Sequence, residues 1–93
     1  MTSLTKTSKM IVEFMVEDNE YYNSELPFKV VEHYTSTEYP YSGYRIYRVI
    51  TDDLTKIRVV NETSGIEYIP FETIEVEGGK VKYVSVWTPN NAE

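Results

Sequence analysis

The sequence predicts an all-β or β-rich α+β domain, built as a small twisted antiparallel sheet or a partly open barrel. Two observations support this prediction. Apolar and polar residues alternate with a period of two over residues 44–50 and 81–87, and turn-forming residues separate such runs. We expect about six or seven strands joined by short turns, with at most one or two short helices.

The N-terminal part of the domain is predicted to contain a strand, a short helix and a second strand. Apolar side chains alternate over residues 10–16 as they do in a strand. The same residues also fit helical spacing, and we favour the strand. Residues 18–26 are interpreted as one short helix ended by Pro27. Residues 28–35 follow as a strand.

The C-terminal part is predicted to consist of hairpins. Its first strand covers residues 44–50, and the segment 62–65 turns the chain between two later strands. Gly78-Gly79 turns it between the last two, because both glycines tolerate positive φ. Pro70 interrupts the strand pattern before them, which predicts either two short strands or an edge strand with a bend.

Length and composition indicate a single domain. The 93 residues include 41% hydrophobic residues, enough for one core but not two. We predict a flexible leader over residues 1–8, one β-rich domain over residues 9–87 and a tail over residues 88–93. The chain has no cysteine, no signal-peptide pattern and no apolar run of membrane length. These features predict a cytoplasmic protein.

Residues suited to catalysis or metal binding are sparse. His33 is the only histidine, and its neighbour Glu32 points to the opposite face of the predicted strand. Asp52-Asp53 follows a predicted strand, which is typical of a turn or a helix cap. A metal role is disfavoured because no glycine-containing calcium loop follows it. No glycine-rich phosphate-binding loop is present either. We therefore expect a protein that is not an enzyme and that uses no metal or cofactor.

Negative charge is segregated along the chain. Residues 10–28 and 59–79 each hold five acidic residues and no Lys or Arg, within a net charge of −6. A negative face formed in this way favours a basic partner. Carboxylates two residues apart on a strand lie about 6.6 Å apart, similar to the spacing of phosphates along one DNA strand. The alternative is that the acidic exterior only keeps a small protein soluble.

The sequence therefore predicts a surface that imitates DNA phosphates. Its partner is expected to be a basic DNA-binding protein, for example a nucleoid-associated protein, which this protein would inhibit. Tyrosines in the first acidic stretch would add contact area at a low cost in entropy. The predicted contacts are Glu17, Asp18, Glu20, Tyr21, Tyr22, Glu72, Glu75 and Glu77.

Two alternative functions stay open at this point. Stacked tyrosines flanked by arginines hold single-stranded nucleic acid on small β-barrels. A site of this kind would use Arg45, Tyr47, Lys56 and Arg58. The other alternative is a structural or regulatory component that assembles through an exposed strand edge, as a dimer or a larger assembly.

In its general character the chain resembles the small acidic early proteins with which bacteriophages take over host functions. The likeness rests on the chain's size, its acidity, the absence of Cys and the nine tyrosines in a β-rich sequence. It resembles the DNA-mimic type of these proteins, such as the HU inhibitor of a Bacillus phage. The resemblance implies a basic host protein as partner and the host cytoplasm as location, and it assigns no functional residue.

Overall fold

The computed structural model describes residues 9–23 and 29–90, which form a seven-stranded mixed sheet curled into a half-barrel. The predicted β-rich fold is therefore confirmed. The strands are β1 (Met10–Val16), β2 (Glu20–Tyr22), β3 (Lys29–Thr35), β4 (Arg45–Thr51), β5 (Val59–Asn61), β6 (Glu67–Val76) and β7 (Val81–Pro89). Their order in the sheet is β2-β5-β6-β7-β1-β4-β3, so β2 and β3 are the edge strands. All neighbours are antiparallel except β1 and β7, which run parallel.

The core lies on the inward face of the curled sheet and is centred on Phe14. Alternate residues of β1 are fully buried, which is typical of a strand with one face inward. The Phe14 ring lies 5.4 Å from Tyr22, 5.6 Å from Tyr47 and 5.8 Å from Trp87, measured between ring centroids. These three rings belong to β2, β4 and β7, so Phe14 links distant parts of the sheet.

The predicted helix over residues 18–26 is wrong, because its centre forms the edge strand β2. This strand pairs antiparallel with β5, with Tyr22 opposite Val59. Tyr22 is only 9% exposed and packs against the core. Burial of this aromatic side chain and pairing with β5 outweigh the local helical signal. Residues 24–28, which include the predicted helix end at Pro27, lie outside the described residues.

Strand β6 is continuous but irregular at Pro70. Its register against β7 shifts between Pro70 and Glu72 and again between Glu72 and Thr73. Strand β5 pairs only with Glu67 and Tyr68, so Pro70 lies beyond the end of that ladder. Proline is tolerated at such a bulge because few ladder bonds are lost there. The sequence correctly indicated an irregularity at Pro70, but β6 is neither two short strands nor an edge strand of the whole sheet.

The predicted turn at Gly78-Gly79 and the predicted turn or cap at Asp52-Asp53 are both confirmed. Gly78 and Gly79 have φ values of 69° and 87° between β6 and β7, a region that favours glycine. The Asp53 carboxylate caps a single turn of 3₁₀ helix, Leu54–Lys56, by accepting a bond from the Thr55 N–H. This cap confirms the prediction that Asp52-Asp53 forms a turn or a helix cap.

Strand β7 lies partly in the segment predicted to be a tail. Strand β7 continues to Pro89, so its last two residues extend into the predicted tail. These residues pair with β6, with Thr88 opposite Ile69 and Pro89 opposite Tyr68. Residues 91–93 and the predicted leader over residues 1–8 lie outside the described residues.

The parallel contact between β1 and β7 is short, and this shapes the site described below. It joins residues 11–13 to residues 81–83. Both strands then continue without a further shared pair, β1 bound to β4 and β7 bound to β6. The two halves of the sheet therefore separate and leave a cleft in the wall of the half-barrel.

Candidate functional site

The fold neutralises two of the three carboxylates predicted as contacts on β6 or directly after it. Arg48 of β4 forms a salt bridge with Glu77, and Lys82 Nζ of β7 lies 2.8 Å from Glu75. Bases that are distant in sequence are thus brought next to these carboxylates by the strand order. Of these three carboxylates, Glu72 is the one that forms no salt bridge with a described residue.

A second group of carboxylates lies together near edge strand β2. The N–H of Glu62 donates to the carbonyl oxygen of Asn19 over 2.7 Å, and Glu20 is opposite Asn61 in the β2–β5 ladder. The turn between β1 and β2 and the turn between β5 and β6 are therefore adjacent. We call the carboxylates at these turns the acidic edge: Glu17, Asp18, Glu20 and Glu62. Within residues 9–23 and 29–90 they have no salt-bridge partner.

Arg45 holds the first of these turns in place through backbone atoms. Its Nη2 donates to the carbonyl oxygens of Glu17 and Glu20, over 3.0 and 2.8 Å. The N–H of Glu20 donates to the Glu17 carbonyl, and the N–H of Glu17 donates to Glu20 Oε1 over 3.3 Å. The guanidinium of Arg45 thus satisfies main-chain oxygens and leaves the carboxylates available.

Glu20 is the electrostatically perturbed member of the acidic edge. Partial burial raises the pKa of Glu20 above its ordinary value. The hydrogen bond from the Glu17 N–H lowers this pKa, the Glu17 carboxylate raises it, and Arg45 lowers it, with a raised pKa as the net result. A carboxylate in this setting carries its charge at a cost in free energy, which a nearby cation reduces.

The cleft between β1 and β7 opens beside the acidic edge. Its volume is about 400 Å³, within the range of about 300–1,000 Å³ that is usual for ligand pockets. Two members of the acidic edge and four aromatic side chains contribute to its wall. The lining residues are Met15, Glu17, Glu20, Tyr41, Val59, Tyr68, Tyr83, Val84, Ser85 and Trp87. The lining therefore contains no basic side chain.

The two tyrosines predicted as contacts point in opposite directions. Tyr21 is 45% exposed, whereas Tyr22 lies in the core. Burial raises the pKa of Tyr22 to about 12, and the nearby Tyr47 acts in the same direction. Successive residues of a strand face opposite sides of the sheet, so only one of the pair can be exposed. Tyr21 stays a candidate contact, and Tyr22 does not.

The residues of the alternative nucleic-acid site do not form an open basic surface. Lys56 Nζ lies 3.1 Å from Asp52, and Arg58 Nη1 lies 3.4 Å from Glu67. Tyr47 is stacked against Phe14 in the core, and Arg45 binds the turn carbonyls described above. Each of these side chains is already engaged within the chain, which disfavours a role as a ridge for bases and phosphates.

Sequence reasoning missed the cleft and the contribution of Glu62 to the acidic edge. The cleft aromatics come from the β3–β4 loop, β6 and β7, and they meet near β1 only because β7 lies parallel to it. The one available signal was the number of tyrosines, nine in 93 residues, which is more than a small core can enclose. That signal does not indicate which tyrosines share a surface.

Three further findings bear on function. Among residues 9–23 and 29–90, no group of three or more His, Asp or Glu residues is arranged to hold a metal ion. No helix in the same residues is both long enough and apolar enough to cross a membrane. The chain matches no protein-family model, no curated protein and no solved structure.

Proposed function

We propose that this protein is an acidic binding module that inhibits a basic DNA-binding protein by presenting carboxylates in place of DNA phosphates. The observation that carries the proposal is the acidic edge, where four carboxylates from two turns gather without a salt bridge to any described residue. An unpaired negative surface attracts and orients a positive partner. Tyr21, exposed on β2, supplies an aromatic contact beside these charges.

The proposed contact surface is narrower than the one expected from the sequence. Glu75 and Glu77 already bind Lys82 and Arg48, so a partner would have to displace these bases to reach them. The acidic edge needs no such exchange. A nucleoid-associated protein is the kind of partner we propose, and the cytoplasm of a bacterial host is the proposed setting, as for a bacteriophage inhibitor of host functions.

The test is a competition between this protein and duplex DNA for a purified nucleoid-associated protein of the HU type. Labelled duplex bound to that protein is followed by fluorescence anisotropy while the acidic protein is added. We expect displacement of the duplex at low salt, and weaker displacement as salt screens the exposed charges. Capture from nuclease-treated bacterial lysate, with elution in a salt gradient, would identify other DNA-binding partners for the same assay.

Two triple variants decide which carboxylates act. Glu17→Gln/Asp18→Asn/Glu62→Gln removes three charges from the acidic edge and is expected to weaken displacement by about tenfold at low salt. The control Glu72→Gln/Glu75→Gln/Glu77→Gln removes three charges from the β6 side and is expected to have a smaller effect. Equal effects of the two variants, or displacement that does not depend on salt, would contradict the proposal.

A second candidate function, self-assembly, is favoured by the exposed edge of β3. Within the described residues no strand pairs with its outer side, and Val31 and Tyr34 are each 48% exposed. An open edge with apolar side chains is a template for pairing with a second chain. Light scattering should then reveal a dimer whose population rises with concentration and which Val31→Lys disrupts. A monomer at every concentration would rule this function out.

A further inference from the structure

We propose that the cleft between β1 and β7 is a binding site for a guanidinium or ammonium group. The cleft lies where the two parallel strands separate after residues 13 and 83. The cation could be a basic side chain of the partner protein or a free organic cation. The inference rests on the proposed function for the first of these sources only.

The charge of the lining selects for a cation. Glu17 and Glu20 contribute carboxylates to the wall, and none of the lining residues is basic. Arg45 lies outside the lining, held on the main-chain oxygens of these two residues, so it does not fill the cleft. Its positive charge offsets one of the two carboxylates, which leaves a net negative charge at the mouth. Phosphates and other anions would be repelled.

The aromatic part of the lining suits the flat or round surface of an organic cation. Tyr41, Tyr68, Tyr83 and Trp87 surround a space of about 400 Å³. A guanidinium or ammonium group over an aromatic face gains about 0.5–2 kcal/mol, with the larger values where water is excluded. Tyr83 and Trp87 are half-buried and fixed by the sheet, whereas Tyr41 is half-exposed on the loop that borders the cleft.

The raised pKa of Glu20 is consistent with a cation-binding site in the cleft. Partial burial raises its pKa, and the Glu17 carboxylate adds to that effect. A cation placed between the two carboxylates would relieve both unfavourable contributions. The Glu20 carboxylate, whose ionised form is disfavoured by burial, therefore becomes a favourable contact when a cation enters.

Trp87 is the only tryptophan of the chain, so its fluorescence reports on the cleft directly. The probe is N-acetylarginine amide, titrated at constant ionic strength. N-acetylcitrulline amide is the matched neutral control, because a urea group replaces the guanidinium without a change of shape. We expect a saturable change in fluorescence with the arginine probe, and binding of the citrulline probe that is weaker by about tenfold or more.

Two variants test the two halves of the lining. Glu17→Gln/Glu20→Gln is expected to weaken binding of the arginine probe by about tenfold, whereas Glu72→Gln/Glu75→Gln, with the same change in net charge, leaves it unaltered. Tyr41→Leu is expected to weaken it by about threefold to tenfold without unfolding the sheet. Equal binding of both probes, or binding that Glu17→Gln/Glu20→Gln leaves unchanged, would overturn the proposal.

Two further experiments distinguish a protein partner from a free cation, and the cleft proposal from the DNA-mimic proposal. A pentapeptide with arginine between alanines should bind more tightly than the single-residue probe if the site serves a protein partner, and equally if it serves a free cation. Asp18→Asn/Glu62→Gln lies outside the cleft lining, so it should keep probe binding while it weakens displacement of DNA. In the wild-type protein, displacement of DNA without binding of the arginine probe would defeat the cleft proposal alone. Binding of the arginine probe without displacement of DNA would defeat the DNA-mimic proposal alone.

Discussion

The N–H of Glu62 donates a 2.7 Å hydrogen bond to the carbonyl oxygen of Asn19, and this bond joins the two acidic stretches of the chain. The stretches are separated by thirty residues in sequence, yet their turns become neighbours because β2 pairs with β5. Acidic residues of the same sign are thereby brought to one edge of the sheet by backbone pairing. Such an arrangement opposes stability and favours a role in binding.

Neutralising one charge of the acidic edge should stabilise the protein. Glu62→Gln is expected to raise the free energy of unfolding by about 0.2–0.5 kcal/mol at low salt, because it removes repulsion among the carboxylates of the two turns. Urea unfolding at two salt concentrations measures this, and the gain should fall as salt screens the charges. Glu75→Gln is the control and should instead lower stability by up to about 1 kcal/mol, since it loses its salt bridge with Lys82. A loss of stability in Glu62→Gln would contradict the expected repulsion.

Arg48 should contribute more to stability than any exposed base of the sheet. It binds both Glu13 and Glu77, and the Glu13 side chain is only 18% exposed. Arg48→Met is expected to lower the free energy of unfolding by about 1–3 kcal/mol, because Glu13 is left half-buried without its cation. Lys82→Met, which breaks a more exposed pair, should cost less than about 1 kcal/mol. Equal costs in urea unfolding would mean that burial of Glu13 does not matter.

Phe14 should be far more important for folding than Phe71, although both lie in strands. Phe14 is fully buried among three aromatic rings, whereas Phe71 is 65% exposed on β6. Phe14→Leu is expected to cost about 1–1.5 kcal/mol and Phe14→Ala about 3–5 kcal/mol of stability. Phe71→Leu should change it by less than about 0.5 kcal/mol. Trp87 fluorescence during urea unfolding measures the stability of each variant. Similar losses of stability for Phe14→Leu and Phe71→Leu would contradict the assigned core.

Local patterns were sufficient to predict most strands and turns. The alternation in residues 10–16 correctly indicated a strand with one buried face, and Gly78-Gly79 marked the final hairpin. The prediction of a helix over residues 18–26 is wrong, because packing of Tyr22 against Phe14 stabilises the strand by more than local propensity stabilises a helix. Tertiary contacts of this kind have no signature within a short window of sequence.

The candidate site was less predictable than the strands, because it depends on strand order. Glu17, Asp18 and Glu20 were found from charge alone, but Glu62 joins them only through the pairing of β2 with β5. The same strand order places Arg48 beside Glu77, so this predicted contact is already engaged in a salt bridge. Charge segregation along the chain therefore predicted a negative surface but not its position.

The pH dependence of stability should reveal the cost of ionising Glu20. Its pKa in the folded protein is raised from the ordinary value of 4.5 by partial burial, with Glu17 and Arg45 as the charged neighbours. As pH rises through 4.5, the unfolded chain loses the Glu20 proton first, so the folded state becomes less stable relative to it. Glu20→Gln removes this contribution. The variant should therefore gain stability relative to the wild type between pH 4 and pH 7, by about 0.5 kcal/mol or less for this partly exposed site.

Urea unfolding across that pH interval, at constant ionic strength, measures the difference in stability between the variant and the wild type. Addition of the arginine probe should reduce it at pH 7, because a bound cation stabilises the ionised carboxylate of the wild type. A difference that does not change with pH, or one that favours the wild type at pH 7, would contradict the assigned environment of Glu20.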